Sequence, residues 1–253
     1  MLCEVLGMFA KKNKLTNLCG LDIYNKSKKE CLDEIFSRDK VHIISGNPEV
    51  LYTSLNDDKL YNEFKSKNSL IIPDGVGVKV AAKMKGMSIA EKIPGVELMV
   101  DIIERCSKTN TSVYLLGATD KSLDLCVNKL KKDFPNTNIV GMRNGFFSED
   151  DTNNIVQEII DSKAEVLFVA LGCPKQETFI VSNFNILPCK ILMGVGGSFD
   201  VIGGLKNRAP KIMISLGLEW LYRVILEPFR IKRLLVIPKF LIKSLTYKSK
   251  KGL

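Results

Sequence analysis

Asp74 directly follows the apolar run Leu70-Ile71-Ile72-Pro73 and precedes a glycine. A carboxylate at the tip of a buried strand, beside apolar side chains that raise its basicity, is placed for general-base work. The same position also suits an N-cap for a helix beginning near Val76. Asn47-Pro48 follows another apolar run, Val41 to Ser45, where the Asn47 amide can cap a helix or hold a sugar hydroxyl or carbonyl. Gly172-Cys173-Pro174-Lys175-Gln176-Glu177 reads as a tight strand-to-helix turn. Either it is a plain connection, or its backbone N–H groups and the Gln176 amide grip a polar ligand. Gly194-Val195-Gly196-Gly197-Ser198-Phe199-Asp200 has the composition of a phosphate cradle centred on Gly196 and Gly197. It matches neither G-x-G-x-x-G nor a P-loop and comes late in the chain, so it is weak as a dinucleotide site.

Four arginines, Arg208, Arg223, Arg230 and Arg233, lie toward the C-terminus. Solvated helix faces explain most arginines, yet guanidinium forks also match pyrophosphate oxygens bidentately. Metal ligation is not expected. The acidic pair Asp150-Asp151 belongs to Ser148-Glu149-Asp150-Asp151, which reads as a capping box ahead of a periodic helix, and Asp57-Asp58 has no histidine partner. His42, the single histidine, sits inside an apolar strand and reads as a core residue.

These residues need a scaffold, and the chain between Val41 and Val195 supplies its grammar. Short apolar runs at Val41–Ser45, Leu70–Pro73, Ser112–Leu116, Asn138–Met142, Val166–Leu171 and Lys190–Val195 alternate with longer amphipathic segments. That pattern predicts an α/β, Rossmann-like domain: a mainly parallel sheet with helices on both faces. Ligands then bind beyond the carboxyl ends of the strands, where the turns after these runs collect. Asn17–Phe36 reads as a small strand-turn-helix lead-in, its helix starting near Ser27.

Charge divides the chain. Residues 205–253 hold 12 Lys/Arg against only Glu219 and Glu227, whereas residues 1–204 hold 25 Lys/Arg against 26 Asp/Glu. We therefore read residues 1–204 as an α/β core and 205–253 as a C-terminal helical appendage. Between Leu216 and Leu245 apolar residues crowd at helical spacing, with basic residues every few positions and breaks expected at Pro228 and Pro238. Two or three short basic amphipathic helices follow, suited to an anionic membrane surface rather than to nucleic acid. Off a membrane, such a tail would need burial, so self-association in solution is an expectation. The start Met1–Ala10 is apolar but interrupted by Glu4 and followed by lysines, unlike a signal peptide, and no stretch reaches the roughly 18 uncharged apolar residues of a spanning helix. Seven scattered cysteines without a C-x-x-C pair read as reduced structural thiols of a cytosolic protein.

Taken in order, Ser45-Gly46-Asn47-Pro48, Ile72-Pro73-Asp74-Gly75, Glu91-Lys92-Ile93-Pro94-Gly95, Leu171 to Glu177, Gly194 to Asp200, Arg208-Ala209-Pro210 and Leu218 to Arg223 resemble the WecG/TagA/CpsF glycosyltransferases over about residues 17–245. The resemblance implies a metal-independent, inverting enzyme without a cofactor. Its appendage docks on the inner face of the cell membrane and completes the active site. It further implies a UDP-sugar donor and a polyprenyl-diphosphate-linked acceptor. In the family's teichoic-acid branch, N-acetylmannosamine passes to undecaprenyl-diphosphate-linked N-acetylglucosamine. Other branches use the uronic acid or other hexoses for capsule or exopolysaccharide. By the same resemblance Asp74 is the base, Ser45 and Asn47 are a polar pair beside it, Gln176 contacts substrate, and Arg223, Arg230 and Arg233 hold the diphosphate. Ser45 stands where threonine is usual. Lys92 stands where arginine is usual, keeping the charge and losing the fork. Two other classes fit parts of the pattern. A noncatalytic membrane or nucleic-acid adaptor would use the tail alone. A dinucleotide oxidoreductase or methyltransferase would share the α/β grammar but lacks the early glycine fingerprint.

Overall fold

Seven of eight strands run parallel, as near-continuous apolar runs with helical connections require. The computed structural model describes residues 15–215, 218–228, 231 and 235–247; the apolar start of the chain lies outside them. The chain opens with a hairpin, β1 (Leu15–Leu18) and β2 (Leu21–Tyr24), where sequence reading expects a single small strand. Its two-residue turn, Cys19-Gly20, takes positive φ at both positions, the geometry that lets antiparallel strands keep their twist. Helix α1 (Lys28–Ser37) starts at Ser27 with a complete capping box to Glu30.

The parallel strands follow: β3 (Val41–Ser45), β4 (Ser69–Ile72), β5 (Ser112–Gly117), β6 (Asn138–Arg143), β7 (Val166–Ala170) and β8 (Ile191–Gly194). Between them lie α2 (Pro48–Ser54), α3 (Asp58–Phe64), α4 (Val76–Met84), α5 (Gly95–Thr109), α6 (Asp120–Asp133), α7 (Thr152–Asp161) and α8 (Lys175–Asn183), and α9 (Ser198–Ile202) follows β8. The sheet order is β1-β2-β4-β3-β8-β7-β5-β6.

Alternation along each strand builds two cores. Ile43, Ile72, Leu115, Phe168 and Met193 face one way, onto α1, α5 and α6. Ile44, Ile71, Leu116, Val169 and Leu192 face the other, onto α2, α4, α7 and α8. His42 joins the second face. It is fully buried, edge-on to Phe64 at 6.0 Å, and burial lowers its pKa to about 3, so it is a neutral core residue as its strand context implies. The six described cysteines are free thiols. Asp57 caps α3, whereas the expected capping box at Ser148–Asp151 forms its reciprocal bonds within the turn ahead of α7, whose N-cap residue, Asp151, has no side-chain bond to the helix's own N–H groups.

After β8 come α10 (Lys211–Ser215), α11 (Glu219–Leu226) and α12 (Val236–Thr246). Pro228 follows α11 as expected, whereas Pro238 lies inside α12. In a first turn the proline's missing N–H has no intrahelical partner to lose, so the expected break does not form. Helix α12 is part of the fold. Phe240 is fully buried among Val50, Leu51, Val78 and Ala81, and the Tyr247 and Tyr61 hydroxyls meet at 2.7 Å. Phe240→Ala is therefore expected to cost about 3–5 kcal/mol, the usual range for a large core truncation, measurable by denaturant unfolding. A loss within the surface range of about 0.5 kcal/mol would show that α12 is only laid on the core.

Candidate functional site

Helix α2, after β3, packs on one face of the sheet, and α9, after β8, packs on the other. Because β3 and β8 are neighbours, their outgoing chains part at the carboxyl edge and leave a crevice, the position where open α/β sheets bind ligands. A cleft of about 410 Å³ opens there.

Asp74 lines it. The parallel register of β3 and β4 pairs Ser45 with Ile72, which sets the tip of one strand beside the turn that follows the other. Ser45 Oγ donates to Asp74 Oδ2 at 2.6 Å. Asp74 does not cap α4. That place belongs to Gly75, whose φ of +87° few side-chain-bearing residues would tolerate and which turns the chain so that the carboxylate enters the cleft. Burial raises the Asp74 carboxyl above the ordinary carboxylate range. The Ser45 hydroxyl, the Lys92 charge and the Gly95 backbone N–H pull it down, and the Glu219 carboxylate adds to the rise.

Lys92 arrives on the loop after α4, which is pinned to the core at several points. Ile93 N–H donates to the Pro73 carbonyl at 2.9 Å, Ala90 N–H to Asn25 Oδ1 at 2.6 Å, and Thr16 Oγ1 to the Ser88 carbonyl at 3.0 Å. Lys92 itself does not line the cleft: its Nζ lies 3.5 Å from Glu219 Oε2, and Glu219, at the start of α11, is the member of this pair that lines it.

Asn47 acts first as a cap: its Oδ1 accepts from the N–H groups of Glu49 and Val50 at 3.0 and 3.1 Å. It also lines the cleft, where its amide nitrogen is the group suited to a ligand acceptor.

Gln176 lines the cleft but is largely spent internally. Its Oε1 accepts from Gly172 N–H at 3.2 Å and Gly196 N–H at 2.9 Å, and its Nε2 donates to Glu177 Oε1 at 2.7 Å. One amide proton remains for a ligand. Gly194 makes room for this clamp, since a Cβ there would lie 2.7 Å from Gln176 Nε2. The glycine-rich loop is thus tied to the turn after β7, with Gly197 at the start of α9. Glu177 beneath it is buried, and burial raises its carboxyl against the pull of the Gln176 amide.

Arg208 is not brought to the cleft. It turns to α5, donating through Nη2 to Glu97 Oε1 at 2.6 Å, in a network with Lys28 and Asp101. Arg223 falls on α11 with its side chain outside the described residues, and Arg230 and Arg233 lie outside them altogether.

Sequence reading missed several cleft residues. Phe146, 76 % exposed at the mouth, presents a flat aromatic face with Thr119 nearby. Lys206 lines the cleft between Asp200 at 3.0 Å and Glu227 at 2.9 Å. An aromatic pair after Asn144-Gly145 and a lysine after a glycine pair are ordinary loop signals, so nothing local marked them. Helices α5, α6 and α8 direct their N-terminal ends at the same space, which favours a bound anion. Among the described residues no group of three or more His, Cys, Asp or Glu side chains is arranged to hold a metal.

Relatives of known activity resemble the chain over most of its length. The N-acetylglucosaminyldiphosphoundecaprenol N-acetyl-beta-D-mannosaminyltransferase of Bacillus subtilis (strain 168) is 34% identical over 194 residues, covering 77% of this chain and 75% of the relative. The enzyme of the same name from Staphylococcus aureus (strain MRSA252) is 32% identical over 240 residues, 92% of this chain and 93% of the relative. The model of the glycosyl transferase WecG/TagA/CpsF family matches residues 16–252. With its strand-tip carboxylate and anion-directed cleft, the chain belongs to the WecG/TagA/CpsF family of glycosyltransferases.

Proposed function

We propose that this enzyme moves N-acetylmannosamine from UDP to undecaprenyl-diphosphate-linked N-acetylglucosamine, with inversion and without a metal ion. The observation that carries the reading is the Asp74 carboxylate, held by Ser45 inside an anion-directed cleft, in a chain whose relatives are named for this transfer. Asp74 takes the proton of the acceptor hydroxyl as that oxygen bonds to the anomeric carbon. UDP leaves from the opposite face with the electron pair of the broken C–O bond. Lysine charge and the N–H groups at the starts of α5, α6 and α8 stabilise the leaving diphosphate. One exposed Phe146 face suits the uracil ring.

The acceptor is a lipid, so the enzyme works at the membrane surface as a peripheral protein. Exposed Ile212, Trp220, Ile225, Leu235 and Ile242 on or beside α10–α12, in the segment with the basic surplus, support docking there. Among the described residues no helix is long and apolar enough to cross the bilayer.

The full chain, given UDP-N-acetylmannosamine and vesicles carrying the undecaprenyl-diphosphate acceptor, should yield the disaccharide lipid with a β linkage by NMR, at the same rate in EDTA. Activity lost in EDTA and restored by Mg²⁺ or Mn²⁺ would remove the metal-free mechanism. Transfer from a different UDP-hexose, with none from UDP-N-acetylmannosamine, would reassign the donor.

A further inference from the structure

The segment with the basic surplus, residues 205–253, contains two acidic residues, Glu219 and Glu227, and both are paired at the cleft. Glu219 lines the cleft from the start of α11, its carboxylate 3.5 Å from Lys92 Nζ, with side chains only 16 % and 21 % exposed. Glu227, just past the end of α11, meets Lys206 Nζ at 2.9 Å, and Lys206 itself lines the cleft. Helix α11 and the residue after it therefore place carboxylates on two lysines, Lys206, which lines the cleft, and Lys92, which is held by the cleft-lining Glu219. Half-buried Lys92 needs a counter-charge when no ligand is present, and Glu219 supplies it; exposed Lys206 is held by Asp200 at 3.0 Å as well as by Glu227, so the C-terminal segment supplies one of its two anions.

We propose that Glu219 and Glu227 are resident counter-anions that compete with a diphosphate for Lys92 and Lys206. This rests on the diphosphate-donor reading above and extends it, by adding Lys206 to the ligand cations and giving the tail's two carboxylates a function. An incoming diphosphate exchanges one set of anions for another at the same lysines, so charge in the cleft stays balanced. After transfer the carboxylates return to the lysines and help expel the product diphosphate. Ligand affinity and the seating of α11 across the cleft are then two sides of one competition.

Calorimetric titration of the full chain with inorganic pyrophosphate tests this. Glu219→Gln and Glu227→Gln should each tighten binding about threefold, and the double variant about tenfold, the scale of partly exposed ion pairs. In a Lys92→Gln background the gain from Glu219→Gln should vanish, because the carboxylate then has no lysine to release. Unchanged or weaker binding in the variants, no pyrophosphate binding at all, or a gain that survives Lys92→Gln would overturn the proposal. Thermal melts establish that each variant is folded, and Glu227→Gln, at a separate pair, repeats the test should Glu219→Gln fail to fold. Sugar transfer assayed in parallel separates the two ideas. Tightened pyrophosphate binding without transfer retains the competition and removes the donor reading. Transfer with unaltered binding does the reverse.

Discussion

Asp74→Asn is expected to lower turnover by about 10²- to 10⁴-fold, the usual contribution of a positioned general base, while leaving the fold intact. The asparagine oxygen can still accept from Ser45 Oγ, so the loss isolates proton transfer from geometry. In the wild type the acidic limb of kcat/KM should lie above the ordinary carboxylate range, because burial raises Asp74. The groups that face it are Ser45 from β3, Gly95 N–H from α5, Lys92 from the preceding loop and Glu219 from α11. Ser45→Ala removes a hydrogen bond to the charged form, so its acidic limb should move further up in pH. Stability responds in the opposite sense to activity. A carboxyl whose folded pKa is raised contributes stability fully below its unfolded pKa and loses it as pH rises through the folded value. Above that raised value the charged Asp74 is thus a cost, and Asp74→Asn should there raise the melting temperature while slowing transfer. An unchanged rate would sink the catalytic assignment and leave a binding or adaptor role.

The second large effect is on stability. Gln176→Leu would leave the N–H groups of Gly172 and Gly196 without their acceptor and the Glu177 carboxyl, 2 % exposed, without its amide donor. Loss of one partner from a buried polar cluster costs about 3–5 kcal/mol, which in a chain of this size lowers the melting temperature by roughly 10 °C. Both strand-end loops would loosen, so donor binding should weaken as well. Glu177→Gln should act in the opposite direction. Burial raises Glu177, so its stabilising contribution is lost as pH rises through that raised value, and the neutral amide removes the cost while still accepting from Gln176. Its gain in melting temperature should be largest near neutrality and shrink as pH falls toward the ordinary glutamate range. A Gln176→Leu protein as stable as wild type would mean that the clamp contributes nothing.

The six strands β3 to β8 are where their apolar runs place them; for the five inner ones, burial on both faces leaves little choice of residue, while β6, at the sheet edge, is partly exposed. Ser27 and Asn47 start helices for equally local reasons, a side-chain oxygen within reach of orphan N–H groups, whereas the Ser148–Asp151 box closes a turn ahead of α7 and leaves that helix without a side-chain cap. The hairpin was half legible. Its turn depends on positive φ at Cys19, a residue that does not advertise it. Pro238 shows the reverse error, since a proline ends a helix or begins one according to which residues precede it.

For the site, residue type and position beside a strand end were enough to single out Asp74, Asn47 and Gln176, because loops at that edge are where such a sheet accepts ligands. What each side chain does there was decided by partners distant in the chain. Register across β3 and β4 brings Ser45 to Asp74, 29 residues on, and turns a possible helix cap into a candidate base. Crossing from β7 to β8 makes Gln176 a clamp before it is a ligand contact, and Arg208 is drawn to Glu97 rather than to the cleft. The tail's basic surplus is plain in the composition, yet its two acids gain meaning only when α11 folds back against Lys92 and Lys206. Local chemistry sets caps, strands and charge, whereas the pairing of groups far apart along the chain exists only once the sheet has ordered them.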